Sequence, residues 1–298
     1  METRKREPQR RTLAVEAECR MLEFLLANVK GKSRNAVKNL LTRRQVLVDG
    51  EVVTRHDAPL RPGQTVTILP PSAPAPADLP FPICYEDNWL LAIEKPAGLL
   101  AVASDREKER TAYRMVLEHQ KAKDEKAQLH VVHRLDQDTS GLLLFAKSRE
   151  MKEKLQEDWD RAVKERVYLA VVTGRPPEQE GLVRSYLKET KTHLVYSTDD
   201  PKGKEAITEY RVKKTENGYS LVELYLQTGR KNQIRVHMKD LGCPVVGDRK
   251  YGGEKSPIGR LCLHASRLTF THPVTGETVS LTSRKPRDFN RLFREKEG

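Results

Sequence analysis

Leu129-His130-Val131-Val132-His133-Arg134-Leu135-Asp136-Gln137-Asp138-Thr139-Ser140-Gly141-Leu142-Leu143-Leu144-Phe145-Ala146 sets a mainly polar stretch between two apolar, strand-like runs. Two strands joined by a tight polar connection put that connection at the rim of a sheet. Arg134 and Asp136 are two residues apart, so in an extended segment both side chains leave the same face. Such a pair is either a site or only a turn. Asp136 and Asp138 admit three readings: a metal-holding D-x-D on a nucleotide-sugar, the acid and base of a glycosidase, or one working carboxylate beside one turn former. The third is the most economical, because Asp138 precedes Thr139-Ser140-Gly141, a turn composition in which an Asp side chain bonds the backbone two residues on.

The 298 residues are enough for two domains. Lys and Arg number 54 against 42 Asp and Glu, a net charge of +12 that favours an anionic partner such as nucleic acid or an acidic membrane surface. Residues 1–70 hold 14 Lys/Arg and 8 Asp/Glu, so half of the excess lies in less than a quarter of the chain and marks a partner-binding region. Cys19, Cys84, Cys243 and Cys262 are scattered without metal-ligand spacing and read as reduced, buried thiols. No apolar run approaches the roughly 20 residues of a membrane helix, and the N-terminus has no apolar leader. The expectation is a cytoplasmic monomer without a membrane, an organelle remaining open. Residues 1–19 read as a basic arm without fixed structure.

From Arg20 to Leu69 the pattern changes twice. Leu22, Leu25, Leu26 and Val29 fall at helical spacing. Gly31-Lys32-Ser33 interrupts, with Ser33 as N-cap, and Ala36, Val37, Leu40 and Leu41 resume it. Val46-Leu47-Val48, Asp49-Gly50 and Val52-Val53 then give a hairpin signal, and Thr65–Leu69 adds a strand. Two helices, a V-x-V-D-G turn and a further glycine turn resemble an S4 RNA-binding domain, here residues 20–69, although Arg43-Arg44-Gln45 stand where that family has glycine. The resemblance makes Lys32, Arg34, Lys38, Arg43 and Arg44 candidate phosphate contacts. Residues 70–80, rich in Pro and Ala, read as a semi-rigid linker to a second domain over 81–298.

In that domain Trp89–Ile93 is an apolar run stopped at Pro96 and Gly98, residues 111–120 are helix-like, and 149–164 read as one charged amphipathic helix. Val167–Val172, Leu182–Leu187, Leu194–Ser197, Ala206–Val212 and Tyr219–Gln227 follow as strands of an antiparallel pattern. A short helix fits within Arg230–Leu241. A glycine-rich loop at 247–253, two strands near Leu261–Leu263 and Leu268–Thr271, and a basic C-terminal helix or tail complete an α+β chain.

His133-Arg134-Leu135-Asp136-Gln137-Asp138-Thr139-Ser140-Gly141 resembles the signature of the RluA-type pseudouridine synthases, and further segments match in order. Glu94-Lys95-Pro96-Ala97-Gly98 is similar to that family's K-P-x-G turn, and Arg166–Val172 to its K-x-Y-x-A strand, with Arg for Lys. Leu226–Arg235 is similar to L-x-T-G-R-x-H-Q-I-R, with Asn232 for His, and Gly247–Gly252 and Leu263–Leu268 complete the set. The resemblance implies a mixed, largely antiparallel sheet with flanking helices, beside a small α/β S4-like domain. It implies conversion of uridine in RNA to pseudouridine without metal or cofactor: the N1–C1′ bond breaks, the uracil turns, and C5 bonds to C1′. Asp136 would act at the sugar, on C1′ or on the 2′ proton, Tyr168 would stack on the uracil near the departing C5 proton, and Arg235 would pair with Asp136. Arg134 would fill the gap left by the extruded base, and Arg230, Gln233 and His133 would border the substrate, His133 chiefly as a structural hydrogen-bonder. Large-subunit ribosomal RNA is the expected target, with a tRNA target or a non-catalytic RNA-binding assembly factor as alternatives.

Overall fold

Asp49 and Gly50 both take positive φ, 51° and 90°, as a two-residue hairpin turn requires. The Asp49 carboxylate also accepts from the Thr65 N–H at 2.8 Å and the Gln64 amide at 3.0 Å, tying this turn to the strand that follows in space. The computed structural model describes residues 11–31, 33–42, 45–69, 79–105, 107–253 and 255–293, and divides into two units, 1–75 and 76–298. Lys32, Arg43, Arg44, residues 1–10 of the expected arm and 70–78 of the expected linker lie outside the described residues.

The first unit runs β1 (Arg11–Ala14), β2 (Cys19–Arg20), α1 (Met21–Asn28), α2 (Arg34–Thr42), β3 (Val46–Val48), β4 (Glu51–Val52), β5 (Pro59–Leu60) and β6 (Thr65–Ile68). Its sheet has the order β1-β6-β3-β4, and β2 pairs with β5. The Ser33 hydroxyl accepts the Ala36 N–H at 3.3 Å, the cap expected for α2. Met21, Leu22, Phe24 and Leu25 of α1 meet Val37, Leu40 and Leu41 of α2 in one core with Val46 and Val66 of the sheet. Arg34 and Lys38 stand exposed on α2. The arm needs correction: Arg11–Ala14 pair antiparallel with β6, Leu13 opposite Val66, and Val15 is only 2% exposed. A four-residue basic strand carries little signal of its own, and its order comes from an edge offered more than fifty residues later.

The second unit runs β7 (Ile83–Glu86), β8 (Leu90–Lys95), α3 (Ala112–Lys123), β9 (His130–Val131), β10 (Ser140–Ala146), α4 (Arg149–Glu157), α5 (Trp159–Ala162), β11 (Val163–Thr173), β12 (Glu180–Glu189), β13 (Val195–Thr198), β14 (Lys204–Glu216), β15 (Tyr219–Leu226), α6 (Gln233–Asp240), β16 (Leu263–Thr271), β17 (Thr278–Thr282) and a 3-10 turn at Arg287–Phe293. One sheet takes the order β13-β12-β14-β15-β11-β16-β10-β8-β7, with β17 on β16 and β9 on β10. Every pairing is antiparallel except β10 with β16. No described helix is long and apolar enough to cross a membrane.

β10 explains its own unbroken apolar run, since it is covered on both faces. Leu142, Leu144 and Ala146 pack with Met151 and Leu155 of α4, while Leu143 and Phe145 pack with Ala112 and Val116 of α3. Where β10 meets β16 in parallel, Gly141 lies opposite Ala265 with φ +110°, and a Cβ there would stand 2.1 Å from the Ala265 carbonyl oxygen. Only glycine permits that approach.

Four expectations change. Of the four thiols expected to be buried, Cys243 and Cys262 are, whereas Cys19 is half-buried and Cys84 is exposed on β7, an outer strand of the sheet. The helix expected over 149–164 breaks at Asp158 (φ −129°, ψ 40°) and gives way at Val163, which pairs with Phe270 of β16. The two strands expected near 261–263 and 268–271 are one, β16, and β17 extends the sheet beside it without having been foreseen.

Candidate active site

The loop between β9 and β10 is fastened at both ends. Its turn is closed by the backbone, the Thr139 N–H donating to the Asp136 carbonyl at 3.1 Å, so the Asp138 carboxylate expected to shape it is left exposed to solvent. Gly98 N–H donates to the Gln137 carbonyl at 3.0 Å, and the Gln137 amide returns a bond to the Gly98 carbonyl at 3.1 Å. Lys95, at the end of β8, is fully buried, and its ammonium donates to the carbonyls of Pro96 (2.9 Å), Leu99 (2.7 Å) and Gln137 (2.9 Å). Burial pushes this ammonium down to about 8, against the opposing pull of Asp138 and Asp136.

Beyond the loop, the Ser140 hydroxyl meets His264 Nδ1 at 2.8 Å, His264 Nε2 meets the Ser283 hydroxyl at 3.0 Å, and Ser283 donates to Glu94 at 2.7 Å. Since Ser283 spends its proton on Glu94, it must accept from Nε2–H, which leaves Nδ1 as acceptor for Ser140. Burial holds His264 down at about 4, consistent with this neutral ring.

Above the loop an open cleft of about 460 Å³ is lined by Arg134, Asp136, Tyr168, Arg230, Asn232, Gln233 and Arg235, among others. Asp136 comes from the loop, Tyr168 from β11 and Arg235 from α6, and Arg235 Nη1 lies 3.6 Å from the Asp136 carboxylate. Burial would lower the Arg235 guanidinium, but hydrogen bonds and charge from Asp248, then the charge of Asp136, outweigh it and raise it. Burial pushes the Tyr168 phenol up to about 12, so it stands in the cleft as a neutral ring with a hydroxyl. Arg134 is exposed at the rim, and among the described residues its guanidinium has no hydrogen-bond or ion-pair partner.

The remaining expected residues divide. Gln233 accepts from the Thr228 hydroxyl and the Arg230 N–H and donates to the Ile207 carbonyl and the Thr208 hydroxyl, so its amide is committed to the protein. Arg230 Nε donates to the Glu205 carbonyl at 2.9 Å. His133 points away from the cleft: its Nε2 accepts the Leu144 N–H at 3.0 Å, its ring lies against Trp159, and burial brings it down to about 4. Among the described residues no group of three His, Cys, Asp or Glu side chains is placed to hold a metal ion.

The family model described as RNA pseudouridylate synthase matches residues 89–240, just over half of the chain and most of the elements that build this cleft. The chain belongs to that family. The synthase is 31% identical to the uncharacterized RNA pseudouridine synthase YhcT of Bacillus subtilis over 88% of each chain. It is 33% identical to ribosomal large subunit pseudouridine synthase D of Xanthomonas campestris, covering 88% of this chain and 84% of the relative. Among solved structures, human RNA pseudouridylate synthase domain containing 4 superposes with a TM-score of 0.59 at 26% identity, covering 70% of this chain and 90% of that one. The synthase is thus an isomerase acting on RNA.

Sequence reasoning overlooked two side chains that organise this site. Lys95 lay within a recognised turn but showed no partner, since its three acceptors are backbone carbonyls. Asp248 lay within the recognised glycine-rich loop, yet it holds the cleft arginine at 2.7 Å through both carboxylate oxygens.

Proposed function

We propose that this synthase converts uridine to pseudouridine in structured large-subunit ribosomal RNA in the cytoplasm, with Asp136 as the group acting at the sugar. The observation that carries the reading is the convergence of Asp136, Tyr168 and Arg235, from a loop, a strand and a helix far apart in sequence, on one cleft. Uridine and pseudouridine are isomers, so the reaction needs a carboxylate, a shaped pocket for the turning base and a route for the C5 proton. The Asp136 carboxylate, beside a committed cation, supplies the first. The neutral Tyr168 ring supplies a stacking face and a hydroxyl near the base. Arg134, exposed at the rim and without a partner among the described residues, is placed to fill the position of a uridine drawn out of its stack, an extrusion that costs about a few kcal/mol in structured RNA.

The first unit, S4-like in its order of helices and hairpin, supplies phosphate contacts through the exposed Arg34 and Lys38. The ribosomal target rests on the relative from Xanthomonas campestris, which is named for the large subunit. Release of tritium from RNA carrying 5-³H-uridine tests the proposal. Large-subunit RNA from cells lacking the gene should release tritium with the wild-type chain and none with Asp136→Asn, whose RNA affinity should stay within about threefold. Release from tRNA alone would overturn the ribosomal assignment, and equal loss of affinity and activity in Asp136→Asn would overturn the role of Asp136.

A further inference from the structure

Arg235 does not belong chiefly to Asp136. Its Nε and Nη2 donate to the two oxygens of Asp248, each at 2.7 Å, in a two-pronged pair whose Asp248 side chain is 0% exposed. Asp248 is itself fixed by its own turn, its Oδ1 accepting the N–H groups of Lys250 and Tyr251 at 3.1 Å. The guanidinium lies over the Tyr251 ring at 5.1 Å. Asn232, held at φ 55° at the head of α6, donates to the Tyr251 hydroxyl at 2.9 Å and accepts from Arg235 Nη1 at 3.3 Å. The guanidinium is therefore gripped on its fork and its face, and only Nη1 is turned towards Asp136, at 3.6 Å.

We propose that Asp248 is a positioning residue for the isomerisation: by engaging the fork of Arg235, it prevents that arginine from chelating Asp136 and leaves the Asp136 carboxylate free to act. The inference rests on the assignment of Asp136 as the acting group. Two carboxylates share one cation, and the buried one takes the two-pronged geometry. Without the Asp248 charge, the guanidinium would find its next carboxylate in Asp136, whose side chain is 29% exposed and already 3.6 Å from Nη1. A chelated carboxylate is a weaker acid-base and nucleophilic group, because the cation stabilises its charged form.

The other groups around Asp136 are Lys95 from β8, Tyr168 from β11, Lys250 from the glycine-rich loop, and Arg134 and Asp138 in its own loop. Of these Lys250 alone bonds Asp248, through its backbone N–H, and the amide oxygen of Asp248→Asn can still accept that bond. The effect of Asp248 on Asp136 is thereby separable from theirs.

Asp248→Asn in the full chain is measured by single-turnover tritium release from an RNA substrate of the wild-type enzyme, across pH. The rate at saturating RNA should fall about 100-fold, the loss typical of a displaced reacting group, while KM stays within about threefold. The acid limb of the pH–rate profile should move down by about one unit, and Asp248→Glu should bring it part of the way back. A loosened fold would lower the rate without moving that limb downwards. Asn232→Gly, which keeps the positive φ but frees Nη1, provides a second reading should Asp248→Asn fail to fold, and should move the limb in the same direction by less. An acid limb unmoved in the folded variants overturns the proposal. Loss of the wild-type signal itself would instead strike at the proposed function.

Discussion

Replacing Lys95 by Met separates two opposed effects of one buried charge. The carbonyls of Pro96 and Leu99 lose their donor, while that of Gln137 keeps the Gly98 N–H. At roughly 2 kcal/mol for each unsatisfied acceptor, the loss is about 4 kcal/mol. Against it stands relief from burying an ammonium whose folded value drops from 10.5 to about 8, a relief of roughly 3 kcal/mol. The loss wins narrowly, and Lys95→Met should lower the stability of the second unit by about 1 kcal/mol at pH 7, read by urea unfolding. The gap should widen as pH rises. The folded value lies below the unfolded one, so the wild type carries its ammonium penalty below about 8 and sheds it between about 8 and 10.5, while the Met variant has none to shed. Because Gln137 adjoins Asp136, single-turnover tritium release should fall about 100-fold even where the variant is fully folded. A variant at least as stable as wild type, in which activity also survives, would refute the reasoning, since the Pro96 and Leu99 carbonyls would then need no donor.

Gly141→Ala should cost about 3 kcal/mol or more, as its Cβ would meet the Ala265 carbonyl oxygen at 2.1 Å with φ at +110°; melting close to the wild-type temperature would show that β10 and β16 can part cheaply. The buried rings of His133, His237 and His264 are each depressed from 6.5 to about 4. The unfolded chain therefore binds protons first, and stability should fall as pH drops from about 6.5 to about 4. His237→Gln should reduce that slope by up to about 1.4 kcal/mol per pH unit, and an unchanged slope in urea titrations would assign the acid loss to other groups. Arg34→Ala with Lys38→Ala should flatten the dependence of RNA affinity on log salt by about one unit or more, and an unaltered slope would remove these side chains from the RNA contact.

Local pattern carried as much of this fold as local contacts determine. The paired helices of the first unit, the Asp49-Gly50 turn and the doubly covered β10 are settled within a few residues, by apolar spacing, by the φ a turn needs and by an unbroken apolar run. β1 and the start of β11 were not legible. Arg11–Ala14 and Val163–Arg166 have the charge pattern of a tail and of a helix face, and each becomes a strand because a partner elsewhere offers hydrogen bonds. The site divides in the same way. Asp136, Tyr168 and Arg235 stand in segments that resemble family motifs, whereas Lys95 answers to backbone carbonyls and Asp248 to an arginine thirteen residues earlier. Neither partner leaves a trace in residue type or spacing.

These hidden partners decide where the cost of the reaction falls. The Asp136 loop is held at Gln137 by Lys95 and Gly98, and just beyond it Ser140 is held by His264 and Gly141 lies against Ala265. Arg235 is committed to Asp248 on the opposite wall. With both walls fixed, adjustment on binding must come from the RNA. Under the proposed function the uridine is drawn out to meet a preformed carboxylate, and contacts remote from the reacting atoms supply the energy of that distortion. A target uridine already unpaired in a loop needs less of this energy than one in a helix. Loss of the Arg34 and Lys38 contacts should therefore slow modification of a paired uridine more than that of an unpaired one.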